Sequence, residues 1–285
     1  MKLNILRLAL TGLLVTAFAA NAGAQELNLP APSPLASTMQ RVGSTDITVT
    51  YSSPGAKDRK VFKDLVKPGE LWRTGANSAT TIEFSTDVSV SGTAVAAGKY
   101  SIFSIPGEGK AAWTVILNKV WEQGGTRKYD IKEDAARVTI KPMKSPARER
   151  LTFIFSNTTD KATRLDLDWA GKRISLPITI ATDAVAKAGI EAQQKATVSK
   201  IVGAARYLAA NGDAKTAMTY YDAALMMDGD NWMVTWLKAD LLAKGGDYKA
   251  AYPLAERAHV LGSKADYFFW KKNVEKALKE WKTKL

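Results

Sequence analysis

The sequence predicts an α+β protein, in which an N-terminal antiparallel β-sandwich domain is followed by a C-terminal α-helical, tetratricopeptide-like repeat domain. Residues 45–182 alternate apolar and polar side chains in short runs separated by turn residues, a pattern typical of strands with one buried face. Residues 183–285 are instead rich in Ala, Leu and Lys and contain an internal repeat. The chain has no cysteine, so each domain must be stabilised by its own core without disulfides.

The first 24 residues have the pattern of a signal peptide. Lys2 and Arg7 precede an apolar run over residues 8–20, and the Ala-Gly-Ala of residues 22–24 fits a cleavage site. The apolar run is shorter than the roughly 20 residues that span a bilayer, which favours a signal over an anchor. We therefore expect cleavage before Gln25, a periplasmic or secreted protein, and no integral membrane segment.

Residues 25–44 are expected to form an extended N-terminal segment, because three prolines lie between positions 30 and 34. The strands of the following domain are short, and no helix-length segment separates them, which favours a sandwich over a partly closed barrel. Turn pairs such as Pro54-Gly55 and Pro106-Gly107 lie between them. The expected strands are residues 45–51, 80–84, 88–91, 100–105, 113–118, 137–140, 151–155, 164–169 and 173–180.

The helical domain, residues 183–285, repeats a pattern after 34 residues. Gly212-Asp213, Ala217 and Ala224 recur as Gly246-Asp247, Ala251 and Ala258. A period of 34 residues is that of tetratricopeptide repeats, in which small residues let paired helices approach closely and glycine ends the first helix. We expect a closing helix over residues 267–282 to cover the C-terminal end of the repeat. We expect residues 185–196 to pack on the opposite end of the repeat.

Composition excludes several kinds of chemistry. Without cysteine, and with His259 as the one histidine, the chain offers no thiol nucleophile and no histidine-rich metal centre, so we expect no metal and no cofactor. The formal net charge of +12 is spread along the chain and forms no basic stripe. We therefore expect no nucleic-acid partner, and weak attraction to anionic envelope polymers or lipid head groups.

The densest group of chemistry-bearing side chains lies in residues 70–77, where an aromatic ring, a guanidinium group, a hydroxyl and an amide share one connection between strands. Such groups together bind a sugar, a carboxylate or a phosphate. With their sequence neighbours they give the candidate ligand-binding residues, which are Tyr51, Arg59, Trp72, Arg73, Thr74, Asn77, Thr80 and Asp87.

A structural interpretation of the same residues stays open. Arg73 then pairs with Glu70, Glu83 or Asp87, Asn77 closes a turn and Trp72 belongs to the core. A second pair of carboxylates, Asp166 and Asp168, alternates with leucines on one strand face. This pair fits a paired-acid glycosidase, but a solvated sheet face gives the same alternation, and we favour the solvated face.

Several short motifs are distributed over residues 51–115 of the β-region. They are YSSP at residues 51–54, Arg59, WRTGAN at 72–77, Thr80, Asp87, AGKYSIF at 97–103, Pro106 and WTV at 113–115. In these motifs the sequence resembles the exported bacterial family called domain of unknown function 2911, over about residues 34–180. The resemblance implies an envelope location and a β-domain with a helical appendix, and it implies no reaction.

Two functional hypotheses follow. The first is an exported binding module, whose β-domain holds a small ligand or an anionic envelope polymer and whose helical repeat docks a protein partner. The second is an enzyme that hydrolyses an envelope glycan or ester in a pocket around Arg73, Asn77 and Asp87. Convergence of these three residues and Tyr51 on one concave pocket, with a carboxylate that no arginine neutralises, favours the enzyme.

Overall fold

The computed structural model describes residues 29–285, which divide into two compact units between Ile180 and Ala181. The predicted signal peptide, residues 1–24, lies outside the described residues. The first unit is built from two antiparallel β-sheets and the second from α-helices, so the predicted fold class is confirmed.

The β-unit contains twelve strands within residues 29–180, and every pairing between neighbouring strands is antiparallel. In spatial order, the strands of the first sheet are β1 (Leu35–Val42), β2 (Thr45–Ser52), β3 (Thr80–Phe84), β6 (Gly98–Ile105), β7 (Trp113–Asn118) and β8 (Asp134–Ile140). Those of the second sheet are β10 (Thr152–Ser156), β11 (Ala162–Trp169), β12 (Lys172–Thr179), β4 (Val88–Val90) and β5 (Thr93–Val95), and β9 (Met143–Lys144) also pairs with β12.

The core of the β-unit lies between the two sheets. Alternate side chains of each strand face inward, as period-two patterning requires, and Ile47 and Val49 of β2 are fully buried. Tyr51 meets Phe153 of the opposite sheet with its ring centroid 4.9 Å away. This contact between the inner faces makes the unit a sandwich.

Three strands were missed by the sequence prediction. Residues 35–42, placed in the extended N-terminal segment, form the edge strand β1, and residues 93–95 and 143–144 form β5 and β9. In β1 the exposed face carries Leu35 and Met39, so neither face is uniformly apolar or polar. An edge strand that lacks period-two contrast gives no signal in hydropathy alone.

The helical unit contains five α-helices within residues 181–285. They are α1 (Thr182–Ala210), α2 (Ala214–Met227), α3 (Trp232–Lys244), α4 (Tyr248–Lys264) and α5 (Lys271–Trp281). Residues 185–196, predicted as a separate packing segment, belong to the single long helix α1. In the chain from residue 29 onward, no helix combines the length and apolarity that crossing a membrane requires.

The two helix pairs share the features that the 34-residue spacing predicts. Gly212 and Gly246 both have a φ of +86°, and the aspartate after each accepts a hydrogen bond at 3.0 Å from a backbone N–H of the next helix. These are the left-handed glycine and the N-cap that separate two helices at a tight turn. The alanines of the pattern are fully buried where the helices cross, namely Ala217, Ala224, Ala251 and Ala258.

Two glycine substitutions should change stability with opposite signs. An added Cβ at Gly246 meets no atom within 4 Å, so Gly246→Ala should lower the free energy of unfolding by about 1 kcal/mol through its left-handed backbone alone. Gly203 lies inside α1 with equally free space, and Gly203→Ala should raise that free energy by about 0.5 kcal/mol. Urea unfolding measures both, and a change of equal sign in the two variants would contradict the cap assignment.

Candidate functional site

Trp72 belongs to the interior of the sandwich. Its backbone continues the line of β3 and exchanges two hydrogen bonds of 2.8 Å with Ser104 of β6. Its ring stacks on Trp169 of the opposite sheet, with centroids 6.1 Å apart, and meets Trp113 edge-on at 6.4 Å. The indole nitrogen donates to the carbonyl of Gly75 at 3.2 Å, which ties the ring to the turn that follows it.

Thr74 and Thr80 stabilise that turn from inside. Thr74 has a φ of +54°, and its hydroxyl bonds to the Ser104 hydroxyl at 3.0 Å. The Thr80 hydroxyl donates to the Thr74 carbonyl at 2.8 Å. A Cβ atom added to Gly75 would lie only 2.7 Å from this hydroxyl, which is too close for a side chain at that position. Both threonines are buried, so their hydroxyl groups serve the fold and do not face solvent.

Asn77 and Arg59 hold backbone segments in place. Asn77 has a φ of +56°, and its amide donates to the Ser52 hydroxyl at 3.2 Å and to the Ser33 carbonyl at 3.3 Å. Arg59 is exposed and donates to the carbonyls of Ala56 and Gly55, at 2.9 and 2.6 Å. Asn77 therefore fastens the start of β1 beside the end of β2.

Arg73 lies on the outer face of the first sheet, because successive side chains of an extended segment alternate and Trp72 faces inward. Its terminal nitrogen Nη1 lies beside Gly125, 3.8 Å from where a Cβ atom added to that glycine would lie. Its Nε is buried and makes no hydrogen bond within residues 29–285, and no carboxylate of that range pairs with it. Glu70, one of its expected partners, lies instead 3.8 Å from Lys67.

Asp87 lies at the opposite end of β3 from Asn77 and Thr80. Its carboxylate accepts a hydrogen bond from the backbone of Ala97 at 2.8 Å. Burial, and secondarily the Asp87 charge, raise the pKa of the neighbouring Tyr100. The structure therefore does not bring Asp87 together with Arg73 and Asn77.

An open groove of about 440 Å³ lies on the outer face of the first sheet, between β2, β3 and the connection from β7 to β8. Of the eight candidate residues, Tyr51 is at the groove, but its ring faces inward on Phe153. The Ser52 hydroxyl held by Asn77 lies in the groove wall. We call it the Trp121 groove, and its lining residues are Leu35, Thr50, Tyr51, Ser52, Ser78, Ala79, Thr81, Trp121, Glu122, Gln123 and Gly124.

The Trp121 ring is 39% exposed, and one of its faces is occupied. The Lys99 ammonium lies over that face, 4.3 Å from the ring centroid, which is a cation–π contact. Thr50 and Thr81 face each other across β2 and β3 at the floor of the groove. The groove therefore presents a partly exposed indole beside hydroxyl groups.

Gln123 is the most buried polar side chain of the groove, with 6% of its surface exposed. Its amide nitrogen donates to the Val120 carbonyl at 2.5 Å and to the Ser101 hydroxyl at 3.3 Å, which fixes the orientation of the amide. Its oxygen Oε1 is buried and has no hydrogen-bond partner among the described residues. An unpaired acceptor of this kind costs stability unless something donates to it.

The connection that carries Trp121 is anchored at both ends. The Gln123 carbonyl accepts from the Ala79 backbone at 2.9 Å, next to a β-bridge between Ser78 and Gly124. Further along, the Tyr129 hydroxyl donates to Asp134 at 2.7 Å, and burial together with this hydrogen bond raises the pKa of Tyr129 to about 12. The groove wall is therefore a fixed part of the fold.

Asp166 and Asp168 are buried, so the predicted solvated face is wrong at these positions. Their side chains are at most 3% exposed on the outer face of β11. Arg173 donates to Asp168 at 2.7 Å and lies 3.7 Å from Asp166. Hydroxyl groups complete the network, since Ser145 and Ser156 donate to Asp168 and Asp166 at 2.5 and 2.8 Å. The alternation showed that these residues share a face but not that the face is covered.

The helical unit has a groove of its own, of about 390 Å³, between α1 and the start of α3. Lys195 and Arg206 line it together with Asp228 and apolar residues of α1. Over residues 29–285, no three histidine, aspartate or glutamate side chains come together as metal ligands.

Most residues of the Trp121 groove were not predicted from the sequence, because three segments far apart in the chain form it. One signal was available, since the hydroxyl groups of Thr48, Thr50 and Ser52 recur with period two on the outer face of β2. A sheet face lined with hydroxyl groups beside an exposed tryptophan indicates polar recognition more than solvent exposure alone.

Comparison with known proteins agrees with the motifs around Trp72. No curated protein matches the chain. A family model described as "Protein of unknown function (DUF2911)" matches residues 33–178, which is just over half of the chain and nearly all of the described β-unit. The chain therefore belongs to the DUF2911 family.

Proposed function

We propose that the β-unit binds a neutral saccharide in the Trp121 groove. The observation that carries this proposal is the chemistry of the lining, in which an exposed indole lies beside four serine and threonine hydroxyls and the unpaired Gln123 oxygen. A sugar ring has an apolar face that packs on an aromatic ring, and its hydroxyl groups both donate and accept hydrogen bonds.

Charge favours a neutral ligand over an anionic polymer. Glu122 is the one charged residue among the described residues that line the groove. The ammonium of Lys99 is engaged on one face of Trp121, and Arg73 lies beside Gly125. A carboxylate or phosphate in the groove would therefore meet a negative charge without a lining cation to pair with.

Binding is favoured over hydrolysis for two reasons. Glycoside hydrolysis uses a pair of carboxylates on either side of the bond, and the described lining supplies only Glu122. The hydrolase hypothesis also needs Asp87 beside Arg73 and Asn77, and the strand β3 separates them.

The proposed setting is outside the cytoplasm, where exported saccharide-binding proteins meet glycans. Its support is the signal-peptide pattern of residues 1–24 with cleavage before Gln25. A protein partner on the helical unit stays a prediction, and the groove beside Lys195 and Arg206 is the surface we assign to it.

Isothermal titration calorimetry of the full chain with three sugars tests the proposal. We expect maltotriose or N,N′-diacetylchitobiose to bind and trigalacturonate, an anionic sugar, not to bind. Trp121→Ala should weaken binding about tenfold, because stacking on the indole is lost.

The matched control is Ile131→Ala, which truncates an exposed apolar side chain of the same connection that does not line the groove. This variant should bind as the unmodified chain does. Absence of binding for both neutral sugars, or equal affinity of the Trp121 variant, would refute the proposal.

A further inference from the structure

The turn between α4 and α5 exposes aromatic rings where a solvated turn would carry polar side chains. We call residues Tyr267, Phe268, Phe269 and Trp270 the aromatic tip. Tyr267 is 72% exposed and Phe269 is 49% exposed, whereas Phe268 and Trp270 are partly buried against the helices. The two exposed rings lie side by side, with their centroids 5.6 Å apart, so they form one aromatic surface on the turn.

The exposed rings are held in place by the packed ones. Trp232 meets Phe268 and Phe269 with centroids 4.8 and 5.0 Å away, and Phe269 lies 5.6 Å from Tyr267. Phe268 lies so close to α4 that a Cβ on Gly262 would stand 2.6 Å from its ring. The tip is therefore a built surface that keeps two aromatic rings in solvent.

Lysines flank the tip in the sequence. Lys264 ends α4, and Lys271 and Lys272 open α5, where no acidic residue stands in the first turn. Cations at a helix N-terminus oppose the helix dipole, so their position is unfavourable for the helix itself. Lys264 and Lys272 make no ion pair within the described chain, and Lys271 lies 4.0 Å from Glu275.

Carboxylates near the tip are fewer than cations. Asp266 is the one acidic residue of the turn, and Glu275 lies near both Lys271 and His259. Over residues 264–275 the sequence has three lysines against two acidic side chains. The segment that carries the two exposed rings therefore has a net positive charge.

We propose that the aromatic tip is a peripheral docking site for an anionic lipid surface. Aromatic rings favour the boundary between water and the acyl chains, and flanking lysines are attracted to anionic head groups. The small area of the tip favours lipid over protein. Two partly exposed rings offer at most about 300 Å², whereas a stable protein interface buries about 800 Å² on each partner.

Vesicle co-sedimentation of the full chain tests this proposal. We expect binding to vesicles of phosphatidylglycerol and phosphatidylcholine, weaker binding as salt concentration rises, and little binding to phosphatidylcholine alone. The double variant Lys264→Ala and Lys272→Ala should bind about thirtyfold more weakly, because each lysine contributes near the surface. The double variant Tyr267→Ser and Phe269→Ser should lose at least about tenfold.

Tyr207→Ser is the matched control, since Tyr207 is 69% exposed on α1. It should bind as the unmodified chain does, and circular dichroism should show that all variants keep their helical content. Failure of the unmodified chain to bind anionic vesicles overturns the proposal, and so does equal binding by the tip variants. A change of oligomeric state in the tip variants without vesicle binding would assign the tip to a protein contact instead.

Discussion

Replacement of Asp168 by Asn should lower the free energy of unfolding by about 3 kcal/mol, the low end of the range for breaking a buried ion pair. The Asp168 side chain is 1% exposed, and it accepts hydrogen bonds from Arg173 at 2.7 Å and Ser145 at 2.5 Å. The neutral amide removes the charge that pairs with Arg173 and turns a donor toward one of these two groups. Urea unfolding measures the loss, and hydrogen exchange of β11 peptides assigns it to the β-unit.

The control is Asp46→Asn, which neutralises a carboxylate in an exposed pair. Asp46 also accepts two hydrogen bonds of 2.7 Å from an arginine, Arg41, but 65% of the arginine side chain and 35% of the aspartate side chain are exposed. Exposed pairs contribute little to stability, so this variant should unfold as the unmodified chain does. Equal losses in the two variants would contradict the assignment of Asp168 to a buried network.

The same network makes stability depend on acid pH. Burial acts to raise the pKa of Asp168, but the hydrogen bonds from Arg173 and Ser145 and the arginine charges outweigh it, so its pKa lies below the ordinary value. A carboxyl with a lowered folded pKa stabilises the protein above its unfolded pKa of about 4, and this stability is lost as pH falls through the folded value. Asp168→Asn should flatten this part of the profile.

Trp169→Ala should cost about 4 kcal/mol, because it empties a fully buried aromatic site. The Trp169 ring stacks on Trp72 and meets Phe62 edge-on, and its indole nitrogen donates to the Glu149 carbonyl at 3.0 Å. Trp169→Phe keeps a ring and should lose roughly half as much. Calorimetric unfolding of both variants measures the difference.

Sugar binding by the Trp169 variants tests whether Trp72, which stacks on Trp169, serves the core or the ligand. Because Trp72 is a core residue, the folded fraction of Trp169→Phe should keep the affinity of the Trp121 groove, which lies on the other face of the first sheet. A loss of affinity without a loss of stability would instead connect the Trp72 motif to the ligand.

The hydropathy pattern correctly predicted those strands and helices whose buried and exposed faces differ clearly in their own sequence. Strand β3 spans residues 80–84 as expected, and the repeat spacing located Gly212 and Gly246 in their left-handed turns. The closing helix begins at Lys271 and not at Tyr267, because Phe268 and Phe269 before it pack on Trp232 in a turn.

Side-chain roles were harder to predict, because they depend on contacts between distant segments. Thr74 and Thr80 were candidate ligand residues, yet their hydroxyl groups are used by Ser104 and by the turn itself. Asp166 and Asp168 alternate as residues on a solvated face do, yet Arg173 and several serines cover them. Period two assigns a residue to a face, but burial of that face is determined by residues elsewhere in the chain.

Nuclear magnetic resonance titration of the full chain with maltotriose and N,N′-diacetylchitobiose tests the saccharide proposal most directly. We expect the indole N–H of Trp121 and the backbone amides of Ser78 and Gly124 to shift on binding, because these groups line one groove. Shifts confined to other parts of the molecule, or no shift up to roughly 10 mM of either sugar, would contradict the account.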